Sequence, residues 1–279
     1  MANENATFKQ FLGTVATGPL FLDLVQAKSL AIELSNFMII EASKIRFPLI
    51  TDDPEADWTA EGAEITESEA VANEVEVIPR KIAGLTSVSN EVANDSSPDA
   101  LGTIADRLSH SSILKFDGAF FGPAPTSTAV QPGGLEYLGD KVTSITGAVD
   151  AGTDIYAEAI SAAEQLGAGL RAFVTDPATA LALAKLKVST GSKVPLFGTG
   201  ATNGIERAVL GVPLRVSPHV TPGTVWGIPD SNVHVVLRED VTVDFDRSVY
   251  FKSDKTAIRS IARIGFGFTH PKAIVKIKA

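Results

Sequence analysis

The chain has 279 residues, 44% of them hydrophobic, with no cysteine and a formal net charge of −9. Disulfides and thiolate zinc sites are therefore excluded, and no run approaches the roughly 18 apolar residues that a membrane span needs. The acidic balance argues against a surface built to grip nucleic acid, which is normally basic over its contact face, but not against a container that holds phosphate loosely.

Residues 1 to about 30 are weakly patterned, with breaks at Gly13 and Gly18-Pro19. They read as an extended arm with a short helix near Leu20 to Leu30. The opening MANENATFKQ has no basic region followed by an apolar one, so it is not a secretory signal, and folding in a cytoplasm is expected. Ala31 to Ile50 is apolar and partly β-branched and predicts strand ending at Phe47-Pro48. From Asp52 to Asn73, with Pro54 and Gly62 inside and Ile65, Val71, Val75 and Val77 at mostly even spacing, the pattern favours a long two-stranded hairpin. Such a ribbon has too little core to stand alone and must lie on something else.

Ser97-Pro98-Asp99 combines a capping hydroxyl, a proline suited to the first helical position and a carboxylate at the positive end of the dipole. Leu101, Ile104, Ala105 and Leu108 form an apolar stripe at helical spacing, continuing through Phe116 and Phe120 to Gly122-Pro123. About 24 residues at 1.5 Å each make a helix of roughly 36 Å. Pro123 to Gly134 reads as a linker and subdomain boundary. A helix is predicted from Asp154 to Leu166, a buried strand over Leu170 to Val174, and a helix from Asp176-Pro177 to Lys187. The Gly-rich 189–204 segment predicts a flexible loop. Strands follow at Ala208 to Val216, Val225 to Ile228 and Val233 to Asp246. A last long strand puts Ile258, Ala262, Ile264, Phe266 and Phe268 on one face and Arg259, Ile261 and Arg263 on the other. The chain is thus of mixed α+β class.

Charge is unevenly spread. Phe47 to Pro79 has no Lys or Arg but ten carboxylates: Asp52, Asp53, Glu55, Asp57, Glu61, Glu64, Glu67, Glu69, Glu74 and Glu76. Arg247 to Ala279 carries eight basic residues (Arg247, Lys252, Lys255, Arg259, Arg263, Lys272, Lys276 and Lys278) against Asp254 alone. Either both segments are solvated, or they meet across subunit contacts, where complementary fields steer association and fix register.

Little in the sequence points to catalysis. His110, His219, His234 and His270 form no metal-ligating spacing, and the clustered carboxylates lack the ordered spacing of a calcium loop. There is no nucleophile elbow and no Walker A loop; Gly198 to Gly204 resembles a phosphate loop only loosely. No catalytic, cofactor or metal site is expected.

Several segments in order carry a resemblance. Ile78-Pro79-Arg80-Lys81-Ile82-Ala83-Gly84-Leu85, Val88-Ser89-Asn90-Glu91, Asp95 and the long helix resemble the run from the E-loop into the spine helix of HK97-type major capsid proteins of tailed bacteriophages. Phe173-Val174-Thr175-Asp176-Pro177, with Leu196-Phe197-Gly198, resembles the axial domain. Gly211-Val212-Pro213-Leu214, Trp226-Gly227, Val241-Thr242-Val243, and Arg263-Ile264 through His270 to Lys276 resemble the closing strands. The resemblance spans about residues 31 to 277.

It implies an N-terminal arm (1–34), an E-loop hairpin with flanking strands (35–80), a P-domain with its spine helix (81–134), an A-domain (135–245) and P-domain closing strands (246–279). It also implies pentamers and hexamers in an icosahedral shell around phage double-stranded DNA, bound without specificity. The partners would be other copies of the chain, a separate scaffolding protein, a portal and a cement protein, with no membrane. The virion is the implied location, after assembly in the host cytoplasm. Asp52, Asp53, Glu55, Asp57, Glu61, Glu64, Glu67 and Glu69 would face a neighbour's Arg247, Lys252, Lys255, Arg259 and Arg263. Some relatives weld E-loop Lys to P-domain Asn with a Glu nearby. Here the 47–79 segment has no Lys, Asp254 stands about where the Asn would be and Ile261 where the Glu would be, so no cross-link is expected. The competing readings are an encapsulin-type compartment shell and, in a different class, a small-molecule-binding α/β enzyme using the 198–204 loop.

Overall fold

The computed structural model describes residues 29–52, 71–95, 100–122, 130–149, 152–187 and 207–278. Most of the N-terminal arm, the 189–204 loop and most of the acidic segment lie outside the described residues.

The 31–50 stretch is not one strand. Ser29 caps a one-turn helix α1 (Leu30–Glu33), followed by β1 (Asn36–Ile39) and β2 (Ile45–Asp52). Ser29 accepts the Ile32 N–H, and that local bond competes with extended structure. β2 also runs through Pro48, which a two-stranded ribbon tolerates because each strand has an open edge. β3 (Val71–Val77) pairs antiparallel with β2, from Ile45 opposite Val77 to Asp52 opposite Val71, forming the base of the expected hairpin.

β4 (Arg80–Ser89) leads through α2 (Asn90–Asp95) into the long helix α3 (Ala100–Phe121). A 3-10 segment (Leu135–Lys141) follows, then β5 (Thr143–Thr146), α4 (Asp154–Glu164), β6 (Leu170–Thr175) and α5 (Pro177–Lys185). β7 (Ala208–Val209) and β8 (Val212–Val216) are separate strands where one was expected. Leu210 and Gly211 both have positive φ, 51° and 86°, the conformation of a tight hairpin turn. β9 (Thr224–Pro229), β10 (Val233–Asp246), β11 (Lys255–Phe268) and β12 (Val275–Lys278) complete the chain.

Two sheets form the body. One has the order β1-β10-β11-β4; the other is β5-β12-β9-β6-β8-β7. The expected domain limits do not follow them. Residues 233–245 pair with β11 and β1 rather than with the strands of the 135–245 stretch, and β12 closes the six-stranded sheet between β5 and β9. Alternation marks a strand but not the sheet it joins, because pairing is non-local.

The expected inward face of β11 is observed: Ile258, Ala262, Ile264, Phe266 and Phe268 are all buried. Phe266 packs against Phe116 and Phe120 of α3, with ring centroids 5.4 and 5.2 Å away. The same core takes in Val174, Trp226 and Ile228 from the six-stranded sheet, so α3 and both sheets share one apolar centre. A second cluster lies under α4, where Tyr156 meets Phe173 edge-on at 5.3 Å. Arg171 of β6 ties the sheets together by donating to the Ser35 carbonyl (3.2 Å), the Asp230 carbonyl (2.8 Å) and Asn36 Oδ1 (3.3 Å).

Candidate assembly surface

The ribbon β2–β3 rises from the four-stranded sheet on the face opposite α3. Two of the ten carboxylates of the 47–79 segment are matched within the ribbon. Lys44 Nζ lies 2.9 Å from Glu76, and Arg46 lies 3.1 Å from both Glu74 and Glu76. The bond from Lys44, helped by Arg46, holds the Glu76 carboxyl below its ordinary range against the opposing effect of burial. Asp52 is the last residue of β2. Asp53, Glu55, Asp57, Glu61, Glu64, Glu67 and Glu69 lie outside the described residues.

Three of the five basic candidates stand at the β10–β11 turn. Arg247, Lys252 and Lys255 are exposed. Arg259 is not a free cation: its Nη2 lies 2.8 Å from Asp244 on the adjacent strand, where the register places the two directly opposite. Arg263 is half-buried in mid-strand. The turn is pinned locally. Asp246 accepts the Ser248 hydroxyl at 2.6 Å and its N–H at 2.7 Å, and these bonds hold its carboxyl low. Asp254 sits in the left-handed region at φ 47° and accepts Asn90 Nδ2 at 2.6 Å, while Asn90 Oδ1 accepts the Thr256 hydroxyl.

Sequence reasoning missed the apolar part of this tip. Phe251 is 86% exposed and Val249 64%, beside an exposed Phe245. Three apolar side chains are thus left in water near one hairpin end. Their signal was the interruption of a basic run by large apolar residues. Among the described residues no three His, Asp or Glu side chains are grouped to hold a metal. Among the described residues no helix is long and apolar enough to cross a bilayer.

The model of the phage capsid family matches residues 21–279. The chain belongs to the phage capsid family. The capsid protein is also similar in fold to solved chains of low identity. A chain of Microbacterium phage Oxtober96 is 18% identical, with 90% of each chain covered and a TM-score of 0.73. One of Mycobacterium phage Bobi is 19% identical, again with 90% of each covered and a TM-score of 0.71. The capsid of a native GTA particle is 17% identical, with 88% of each covered and a TM-score of 0.70. None of the curated proteins matches. The mixed α+β architecture is that of an HK97-like capsid protein, and the capsid protein is a structural component of the virion shell; the small-molecule enzyme reading is not favoured.

Proposed function

We propose that this capsid protein is the major shell subunit, assembling as pentamers and hexamers into an icosahedral container for double-stranded DNA. The observation that carries the reading is the ribbon β2–β3. It pairs with no third strand among the described residues, is seated on the four-stranded sheet through Val77 and Phe47, and continues in sequence into a segment whose carboxylates have no basic residue among them. A two-stranded element of this kind gains stability from a surface to lie on, and a second copy offers one at the exposed Arg247, Lys252 and Lys255 tip.

The shell is held without a covalent weld, because the 47–79 segment supplies no Lys and Asp254 stands about where the resemblance would put the acceptor Asn. Copies of the chain are its main partners. A scaffolding protein, a portal and a cement protein complete the particle, assembly takes place in the host cytoplasm, and DNA is enclosed without specific contacts. Purified protein, concentrated at moderate salt and viewed by negative-stain microscopy, forms rings or closed shells. A strict monomer under every assembly condition overturns the reading.

A further inference from the structure

The base of the ribbon meets the body at two glycines. Gly265 and Gly267 are alternate residues of β11 and therefore share one face, opposite the one that Ile264, Phe266 and Phe268 turn toward α3. A Cβ at Gly267 would lie 2.7 Å from Val77 Cγ2 and 3.3 Å from Phe47 Cε2. One at Gly265 would lie 2.9 Å from Val77 Cγ1 and 3.3 Å from the Pro79 backbone. Missing side chains thus make a notch, and both methyls of the buried Val77 fill it. Beside the notch, Phe47 of β2 stacks on His234 of β10 at 4.5 Å between centroids and 19° between planes. His234 is itself paired opposite Gly267. Both strands of the ribbon are therefore seated on the same sheet face, β3 through Val77 and β2 through Phe47.

We propose that the Gly265–Gly267 notch and the Phe47–His234 stack form an elbow that fixes the direction in which the ribbon leaves its own subunit, and so the spacing at which a second copy is held. This rests on the shell-subunit reading for its second half only. Val77 and Gly267 are positioning residues: they act on the neighbour through the ribbon. Close-packed contacts of this kind resist small deformations, because a clash under about 3 Å forces a side chain or a whole element to move.

The test uses the absence of native cysteine. Cysteines placed at exposed Asn73 on the ribbon and exposed Glu164 on α4 carry spin labels, and pulsed dipolar spectroscopy on the unassembled full chain reads the ribbon's direction. Gly267→Ala shifts or broadens the distance distribution, and adding Val77→Ala, which removes the colliding methyls, returns it toward wild type. A merely destabilising alanine would be made worse, not repaired, by truncating a buried valine. An unchanged distribution in Gly267→Ala, or one that Val77→Ala fails to restore, overturns the elbow. Particle diameter by microscopy tests the second half. Gly267→Ala gives shells of altered size or unclosed sheets, repaired in the double variant. Wild-type-sized shells despite a displaced ribbon overturn the link to spacing. Failure of the wild type to assemble removes the shell-subunit reading and with it the link to spacing; the elbow itself is still decided by the dipolar measurement.

Discussion

The Asp117 carboxylate, one turn from the end of α3, accepts the Ser29 hydroxyl at 2.7 Å across 88 residues of sequence. It also accepts the Ala31 and Leu30 N–H groups at 3.3 Å, so the long helix supplies the cap for α1. Burial pushes the Asp117 carboxyl above its ordinary range, and the bonds from Ser29, Ala31 and Leu30 only partly oppose it. A raised carboxyl binds its proton more tightly in the folded chain. Its contribution is fully present below the ordinary carboxylate range and is lost as pH rises through the raised value. Asp117→Ala should cost about 1–3 kcal/mol by stranding buried donors, and Asp117→Asn less. In denaturant titrations, wild type minus Asp117→Asn should decline from acid toward neutral pH; a difference that grows with pH contradicts the assignment.

Asp176 gives the opposite sign. It caps α5, accepting Ala178 and Thr179 N–H at 2.9 and 3.1 Å, and takes the Gly223 N–H at 3.2 Å from the turn before β9. Burial alone would raise its carboxyl, but the bonds from Thr179, Gly223 and Ala178 together hold it low. Stability is then present above the ordinary carboxylate range and is lost as pH falls through the depressed value. Asp176→Ala should cost about 1–2 kcal/mol at neutral pH, and less once pH has fallen through the depressed value. A cost independent of pH would show that the carboxylate charge is irrelevant.

These two aspartates show what the sequence made legible. Asp176-Pro177 could be read directly, because a cap and its proline act on the next three residues; the helix does begin there, and it ends at Lys185, two residues short of the expected Lys187. The long helix and the inward face of β11 were legible for the same reason: their periodicity is local. The bond from Ser29 to Asp117 was not, and neither were the pairing of Arg259 with Asp244, the entry of β12 into the six-stranded sheet, or the fit of Val77 over Gly267. Each depends on a register between distant segments that no local spacing encodes. The tight turn at Leu210 was hidden because a leucine occupies a positive φ that usually calls for Gly or Asn.

Lys276 forms an ion pair with Glu136 while standing 4.9 Å from the centroid of the fully buried Trp226 ring. Both charged side chains are largely covered, at 19% and 16% exposure. Removing Lys276 leaves the Glu136 charge poorly solvated, with the Thr221 hydroxyl, at 3.3 Å, still donating to it. Lys276→Met should therefore cost about 2–3 kcal/mol, somewhat less than a fully buried pair. The double variant Glu136→Gln with Lys276→Met should recover part of that loss. A double-mutant cycle showing strict additivity would mean that the pair does not interact.

The acidic 52–69 segment and the basic tip of the β10–β11 turn are proposed to meet between neighbouring copies. Glu74 and Glu76 are already matched by Lys44 and Arg46, and Arg259 by Asp244, so reversing them disturbs the ribbon or its sheet before any contact between subunits. The informative set is Asp52, Asp53, Glu55 and Asp57 on one side and Arg247, Lys252 and Lys255 on the other. One exposed pair contributes only about 0–1 kcal/mol, but a shell repeats every contact many times, and several reversals add. Changing the four carboxylates to Lys should leave the unfolding midpoint of the isolated subunit near wild type and abolish shells seen by light scattering. Reversing Arg247, Lys252 and Lys255 to Glu in the same chain should restore them. Because screening shortens such fields to about 8 Å at physiological salt and 3 Å at 1 M, the restored variant and the wild type should lose assembly together as salt rises. Shells that form normally from the four-fold Lys variant alone would show that the acidic segment is simply solvated.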